Sequence, residues 1–248
     1  MFLSVVIPSY NEASNISKGV LDQVYSFLKT KSYSWEIVLA DDGSSDGTLE
    51  SLKNFAKSKK EVRVLALPHR GKGPTVIDGL LQANGDWRLF TDFDQATPIS
   101  EIEKLLPETK KGNAIVIGSR EIAGAQRKKE PFHRHWMGKV FNLCVQLIAI
   151  PGIHDTQCGF KLFSGQAVKA LVPKVVVYSS KGKMRGAFTG AFDVELLYIA
   201  RRKKFSIAEI PIVWNYAKTD RVDPIKDSIR MFIDILRIRV ADLQGHYK

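Results

Sequence analysis

Short β-branched apolar runs alternate with amphipathic stretches through the first half of the chain, which is the pattern of a parallel sheet covered by helices on both faces. Strands are predicted at Leu3 to Pro8, Trp35 to Ala40, Val62 to Leu67, Trp87 to Phe90 and Ala114 to Gly118. Helices are predicted between them, at about Asn15 to Lys29, Thr48 to Lys57, Lys72 to Ala83 and Ile99 to Leu106. Several of these are entered through Ser, Thr, Asn or Pro. The architecture is α/β and of nucleotide-binding type, with functional loops expected at the carboxyl ends of the strands.

The second half is less regular. A basic loop is expected from Arg120 to Lys139, an apolar helix from about Gly138 to Ile150, and a Gly/Lys-rich stretch from Tyr178 to Gly190. Near the end, Ile225, Ile229, Phe232, Ile233, Leu236 and Val240 follow helical spacing, and Met231, Ile235 and Ile238 widen the apolar face. Asp227, Arg230, Asp234 and Arg237 form its narrow polar stripe.

Composition narrows the class. A chain of 248 residues with 44% hydrophobic residues buries a substantial core in one domain. Two cysteines, Cys144 and Cys158, supply neither a disulfide framework nor a zinc cluster, and a reducing cytosolic compartment is expected. The start of the chain lacks the pattern of a signal peptide. The nearest approach to a membrane-spanning run, Val140 to Ile153, is broken by Asn142, Gln146 and Pro151. The formal charge of +11 implies attraction to anions. Nucleic acid is excluded as the partner, because aromatics are not interleaved with the basic runs and no recognised binding motif appears.

Candidate chemistry gathers at strand ends. Asp92-Phe93-Asp94 places two carboxylates two apart directly after a buried strand, an arrangement suited to Mg²⁺ or Mn²⁺ completing its shell with diphosphate oxygens. A turn and helix cap leading to Thr97-Pro98 is the competing reading. Asp41-Asp42-Gly43-Ser44 follows another strand, where acidic groups either receive a base or ribose or form a simple turn. Pro8-Ser9-Tyr10-Asn11-Glu12 brings polar groups to the same edge, with capping by Asn11 or Ser14 as the alternative. Cys158, beside Gly159-Phe160, is read as a packing residue.

Taken together, Val5-Val6-Ile7-Pro8-Ser9-Tyr10-Asn11-Glu12, Asp41-Asp42-Gly43-Ser44-Ser45-Asp46-Gly47-Thr48 and Asp92-Phe93-Asp94 resemble family 2 of the inverting glycosyltransferases. That family has a GT-A fold, a Rossmann-like, mostly parallel sheet flanked by helices. Gly71-Lys72-Gly73, Gly118-Ser119-Arg120, the run Asp155-Thr156-Gln157-Cys158-Gly159-Phe160-Lys161 and Phe192-Asp193-Val194-Glu195 are similar to its polyprenyl-phosphate branch, especially the dolichyl-phosphate glucosyltransferases. The resemblance covers about residues 1–216 as catalytic domain, with 217–248 as a C-terminal amphipathic helix. It implies that Pro8, Tyr10, Glu12 and Asp42 hold the nucleoside with Lys72 nearby, and that Asp92 and Asp94 position Mg²⁺ or Mn²⁺, with Gln95 as a helper ligand. It also implies that Arg120 and Arg134, with Arg127 as a further candidate, hold an acceptor phosphate. The segment 120–139 carries six Lys/Arg against two Glu, with His133 and His135 besides, as a phosphate clamp requires; a solvated loop is the alternative.

The expected reaction is transfer of a hexose, glucose from UDP-glucose, to dolichyl or another polyprenyl phosphate, with Asp94, Arg120, Arg134 and Asp193 as the catalytic set. Gln95 stands where the glucosyltransferase branch has a small residue, which leaves GDP-mannose open as the donor. A phosphate acceptor is already anionic near neutral pH and needs little base assistance. A soluble saccharide hydroxyl would need Asp193 or Asp155 as base. A lipid acceptor also requires a bilayer surface, and the basic loop, the apolar helix and the C-terminal helix predict monotopic contact at the cytosolic face. Packing of both helices on the sheet or at a homodimer interface is the alternative.

Overall fold

The computed structural model describes residues 1–128, 132–179, 190–216 and 224–248, with the side chains of 132–137, 140, 224 and 225 outside that description. The first half forms β1 (Leu3–Ser9), α1 (Ala13–Ser17), α2 (Val20–Lys29), β2 (Trp35–Asp41), α3 (Thr48–Ala56), β3 (Val62–Ala66), α4 (Lys72–Gln82), β4 (Trp87–Thr91), α5 (Ile102–Thr109) and β5 (Ile115–Ser119). The second half forms β6 (Gln126–Lys128), α6 (Phe132–Ile148), β7 (Phe160–Ser164), α7 (Gly165–Leu171), α8 (Phe192–Arg202), β8 (Ile207–Pro211), β9 (Val213–Asn215) and α9 (Pro224–Leu243).

Seven strands make one sheet in the order β3-β2-β1-β4-β7-β5-β8, parallel except for β7, which runs antiparallel to both β4 and β5. β6 and β9 pair separately as a short parallel ribbon. Alternation along each strand sends neighbours to opposite faces. Val6, Val38, Phe90, Ile115 and Phe163 enter one core with residues of α4, α7 and α8. Val5, Ile37, Leu39, Leu89, Val116 and Leu162 enter the other with residues of α2, α3 and α5. Both faces are therefore covered, as the unbroken apolar runs require. Gly79 lets α4 lie close on β1, since a Cβ there would stand 2.5 Å from Val6 Cγ1.

Three expectations need correction. The single helix over Asn15 to Lys29 is two helices, because Gly19 takes φ 73° between them. The apolar helix begins at Phe132 rather than near Gly138, so residues 132–139 of the expected basic loop are helical, and β6 occupies part of the rest. On α9, Asp234 does not belong to a solvated stripe: it is 6% exposed and accepts from the Tyr178 hydroxyl, while Ile235 and Ile238 lie in the core. Much of the predicted apolar face, Ile229, Phe232, Ile233, Leu236 and Val240, points to solvent. α9 packs on α6 and α8. Tyr247, after α9, donates its hydroxyl to Glu195 at 2.7 Å.

Glu36 ties the sheet to the loop after α4. Buried on β2, it accepts from Ser4 Oγ at 2.6 Å, the Asn84 amide at 2.6 Å and Arg63 Nε at 2.9 Å. Burial alone would raise its pKa, but Ser4, Asn84 and Arg63 together hold it below the ordinary 4.5. A carboxyl depressed in the folded state contributes stability above its unfolded pKa, and that contribution is lost as pH falls through the folded value. Glu36→Gln is expected to cost about 2 kcal/mol at neutral pH by urea unfolding. It is also expected to flatten the loss of stability between about pH 5 and pH 3 relative to the parent protein.

Candidate functional site

The loops after β1, β2, β4 and β5 converge at the carboxyl edge of the sheet, where the order of the strands places Asp42, Tyr10, Asp92 and Arg120 in sequence across the edge. Pro8 is buried in β1 beyond the last residue paired with β4, Val6, and so breaks no ladder there. Tyr10 stacks on His69 with ring centroids 4.3 Å apart and 11° between planes. Both rings are half-buried, so the pair leaves an aromatic surface open.

Asp42 supports that pair. Its carboxylate accepts from His69 Nδ1 at 2.9 Å, from the Arg70 amide at 2.8 Å and from the Gly71 amide at 2.9 Å. The loop 69–71 that delivers Lys72 to the start of α4 is therefore fixed from β2. Gly43, at φ 67°, admits this closure, because a Cβ there would lie 2.9 Å from the His69 nitrogen. Asp41 and Asp46 serve the turn itself, accepting from Ser44 and Thr48 respectively. Glu12 is nearly buried, its amide bonded to Thr48 Oγ1 at 2.7 Å and its carboxylate accepting from Asn15.

Asp92 leaves β4 against the backbone of residue 159: its amide donates to the Gly159 carbonyl at 3.1 Å. A Cβ at 159 would lie 2.6 Å from Asp92 Oδ1 and closer still to Oδ2, so only glycine leaves room for this carboxylate. Lys72 Nζ stands 2.6 Å from Asp92 Oδ1. Asp94 is exposed, with Oδ1 accepting from the Ala96 amide at 3.0 Å. Gln95 adopts φ 50° and donates its amide to the Asp92 carbonyl at 2.8 Å. Gln95 Oε1 is buried without a hydrogen-bond partner, and Asp92 Oδ1, also buried, is met by the Lys72 ammonium. Carboxylate and amide oxygens gathered in one acidic turn fit a hard divalent cation. Among the described residues no group of three or more His, Cys, Asp or Glu gathers around a metal position. Diphosphate oxygens and water would then complete the shell of a cation on Asp92 and Asp94.

On the other side, Arg120 forms a fork with Asp155, Nε to Oδ2 and Nη2 to Oδ1 each at 2.8 Å, and lies over Trp214 with its guanidinium carbon 5.3 Å from the ring centre. Burial would raise the Asp155 pKa, but Arg120 outweighs it and holds the carboxyl below its usual range. Asp155 is wholly buried, with its carboxylate paired to Arg120. Arg127 bonds the Arg120 carbonyl at 2.9 Å and pairs with Glu121. Arg134 is carried on α6, with its side chain outside the described residues. Burial pushes the Cys158 thiol up to about 12, as a packing residue requires.

The sequence reading underrated Lys161 and omitted His69. Lys161 is 1% exposed on β7 and donates to Asp193 Oδ2 at 2.6 Å and to the Cys158 carbonyl. A lysine between Phe160 and Leu162 in a buried strand was the available signal, since such a charge persists only when paired. Asp193, at the start of α8, has its pKa raised by burial against the opposing pull of Lys161 and Lys72. Gly73 brings α4 and α8 together here, for a Cβ there would meet Phe192 Cβ at 2.9 Å. The site thus carries alternating charges: Asp92, Lys72, Asp193, Lys161, Asp155, Arg120.

The model of the family described as Glycosyl transferase family 2 matches residues 4–172. A dolichyl-phosphate beta-glucosyltransferase from Saccharomyces cerevisiae is 36% identical over 268 residues, covering 100% of this chain and 77% of the relative. The dolichyl-phosphate beta-glucosyltransferase of Dictyostelium discoideum is 34% identical over 262 residues, with the same two coverages of 100% and 77%. Among solved structures, glucosyl-3-phosphoglycerate synthase from Mycobacterium tuberculosis, in complex with Mn²⁺, UDP-glucose and phosphoglyceric acid, superposes with a TM-score of 0.65 at 18% identity. That match covers 97% of this chain and 79% of the other, and it shows a shared GT-A fold.

The Lys161–Asp193 pair gives a direct check on the buried charges. Lys161→Ala strands a carboxylate and is expected to cost about 3–5 kcal/mol in urea unfolding. A Lys161→Met, Asp193→Leu double variant is expected to recover most of that loss, giving a large coupling in the mutant cycle.

Proposed function

We propose, since the chain belongs to glycosyl transferase family 2, that this glycosyltransferase moves glucose from UDP-glucose to dolichyl phosphate. The choice of glucose and of the lipid acceptor follows the relatives that match the whole chain, which are dolichyl-phosphate beta-glucosyltransferases. The observation that carries the mechanism is one sheet edge built in two ways: an acidic turn suited to a cation that would meet the diphosphate on one side, an arginine locked on Asp155 on the other.

Tyr10 and His69 offer the base a flat surface, held from below by Asp42. Lys72 stands at the first turn of α4, where its ammonium and the helix N-terminus both favour diphosphate. Mg²⁺ or Mn²⁺ on Asp92 and Asp94, helped by Gln95, would neutralise charge developing on the leaving UDP. Arg120, with Arg127 and Arg134, holds the acceptor phosphate. One of its oxygens attacks the anomeric carbon as the bond to UDP breaks, so an α-linked donor gives a β-linked product. The attacking oxygen is already anionic and needs no proton acceptor. That leaves Asp193 free of a base role and consistent with its pairing to Lys161.

The lipid must be met at a surface. Among the described residues no helix is long and apolar enough to cross a membrane. Leu143 and Leu147 on α6 and Ile229, Phe232, Ile233, Leu236 and Val240 on α9 are exposed, and α6 packs on α9. Lys226, Arg230, Arg237 and Arg239 are exposed on α9 beside them. Such an apolar face with basic flanks suits the interfacial layer of an anionic membrane.

Two outcomes are expected. Labelled glucose passes from UDP-glucose to dolichyl phosphate in detergent, EDTA abolishes transfer, and Asp92→Asn lowers the rate by about 100-fold or more; undiminished transfer by that variant would remove the carboxylate from the mechanism. Phe232→Glu with Leu236→Glu is expected to weaken co-sedimentation with anionic vesicles by about tenfold or more, while transfer to a detergent-solubilised acceptor persists.

A further inference from the structure

Lys72 holds the oxygen that a divalent cation would need. Its Nζ lies 2.6 Å from Asp92 Oδ1, a close ion pair on a buried carboxylate oxygen. The position of the lysine is not accidental to the loop. Gly71, at φ 91°, and the amides of Arg70 and Gly71 on Asp42 fix the start of α4, and Phe90 lies beneath the ammonium at 5.5 Å. The carboxylates of Asp193 and Asp94 also lie within electrostatic reach of the Lys72 ammonium.

A second acceptor is close in the same field. Asp193 uses Oδ2 for Lys161, and its Oδ1 is buried with no hydrogen-bond partner. Lys161, at 1% exposure, is already engaged by Asp193 Oδ2 and the Cys158 carbonyl. An ammonium and a divalent cation repel one another on a shared carboxylate oxygen, so one must yield when the other binds. A lysine on a flexible four-carbon stem can change partners without moving the backbone.

We propose that Lys72 is the resident counter-ion of Asp92, displaced when the divalent cation binds, and that Asp193 Oδ1 is the second seat that receives it. This deepens the reading of Asp92 as a cation ligand and rests on it. The consequence is that the acidic turn is neutralised before loading, and that cation entry is coupled to a rearrangement that places an ammonium deeper in the site. Asp193 then acts as a positioning residue for Lys72, and Lys161 holds Asp193 in place for that exchange.

The test reads Mn²⁺ binding itself, by the electron paramagnetic resonance signal of free Mn²⁺ during titration of the full chain, with and without UDP. Lys72→Met is expected to bind Mn²⁺ about tenfold more tightly than the parent when UDP is absent, because the competing cation is gone. Lys72→Gln, which keeps a polar side chain, is expected to do the same and serves if the methionine variant folds poorly. Asp193→Asn is expected to weaken Mn²⁺ binding several-fold in the parent background and to have little effect beside Lys72→Met. Equal or weaker binding by both Lys72 variants would overturn the proposal. So would an Asp193→Asn effect that persists without Lys72, since Asp193 would then act on the cation directly. Asp92→Asn separates the two levels: if it binds Mn²⁺ as well as the parent, the cation seat itself is wrong and the exchange falls with it. If it loses binding while the Lys72 variants are unchanged, only the exchange is wrong.

Discussion

β7 runs antiparallel between two strands of an otherwise parallel sheet, and most of the site depends on what that insertion forces into contact. Its register sets Phe160 opposite Thr91, which brings Gly159 against Asp92 and leaves a carboxylate where a side chain would otherwise stand. The next inward residue, Lys161, pairs with Phe90 on one strand and Ile117 on the other, deep in the sheet. An ammonium buried there is costly unless a carboxylate meets it. Asp193 meets it, and with that α8 must begin at the same edge. The Gly73–Phe192 contact then draws in α4 and Lys72.

The same chain of constraints explains why the two sides of the site differ in kind. On the β4 side, the Gln95 amide oxygen is buried without a partner and the Asp92 carboxylate is met by a lysine on a flexible stem, a condition tolerated where a ligand completes the site. On the β5 side, Arg120 is already satisfied by Asp155 and flattened on Trp214, so its guanidinium is oriented before any anion arrives. One side is prepared by acceptors arranged for a cation, the other by fixing a donor. Opposite preparation suits transfer from a diphosphate donor to a phosphate acceptor, since the charge that builds on the leaving diphosphate must be neutralised while the attacking phosphate is held in line.

Sequence patterning made the first half legible because each strand and helix there is announced by its own period. Val5 to Ile7 and Ile37 to Leu39 could sit only in a sheet buried on both faces. The Asp92 turn and the Asp42 loop were legible as strand-end clusters, although no local pattern could tell that Asp42 faces the amides of residues 70 and 71. The second half was harder because its elements are not amphipathic in the ordinary sense. α8 is buried along nearly its whole length, with Asp193 and Glu195 inside, so no polar stripe marks it. Glu195 is tolerated because three amides, of Val176, Val177 and Tyr178, and the Tyr247 hydroxyl all donate to it. α9 misleads in the opposite direction: acids at 234 and 242 turn inward to Tyr178 and Tyr198, and apolar residues turn out. Only tertiary partners distant in sequence decide such faces.

Asp92, held on the glycine backbone of β7's approach, is proposed as the seat of a divalent cation shared with the donor diphosphate. Anomalous diffraction from crystals grown with Mn²⁺ and UDP reads that seat. The expected result is a manganese peak bonded to the Asp92 carboxylate and to diphosphate oxygens, with Asp94 in or beside its shell. A peak elsewhere, or a diphosphate bound through Lys72 with Asp92 still paired to that lysine and no manganese between them, would contradict it.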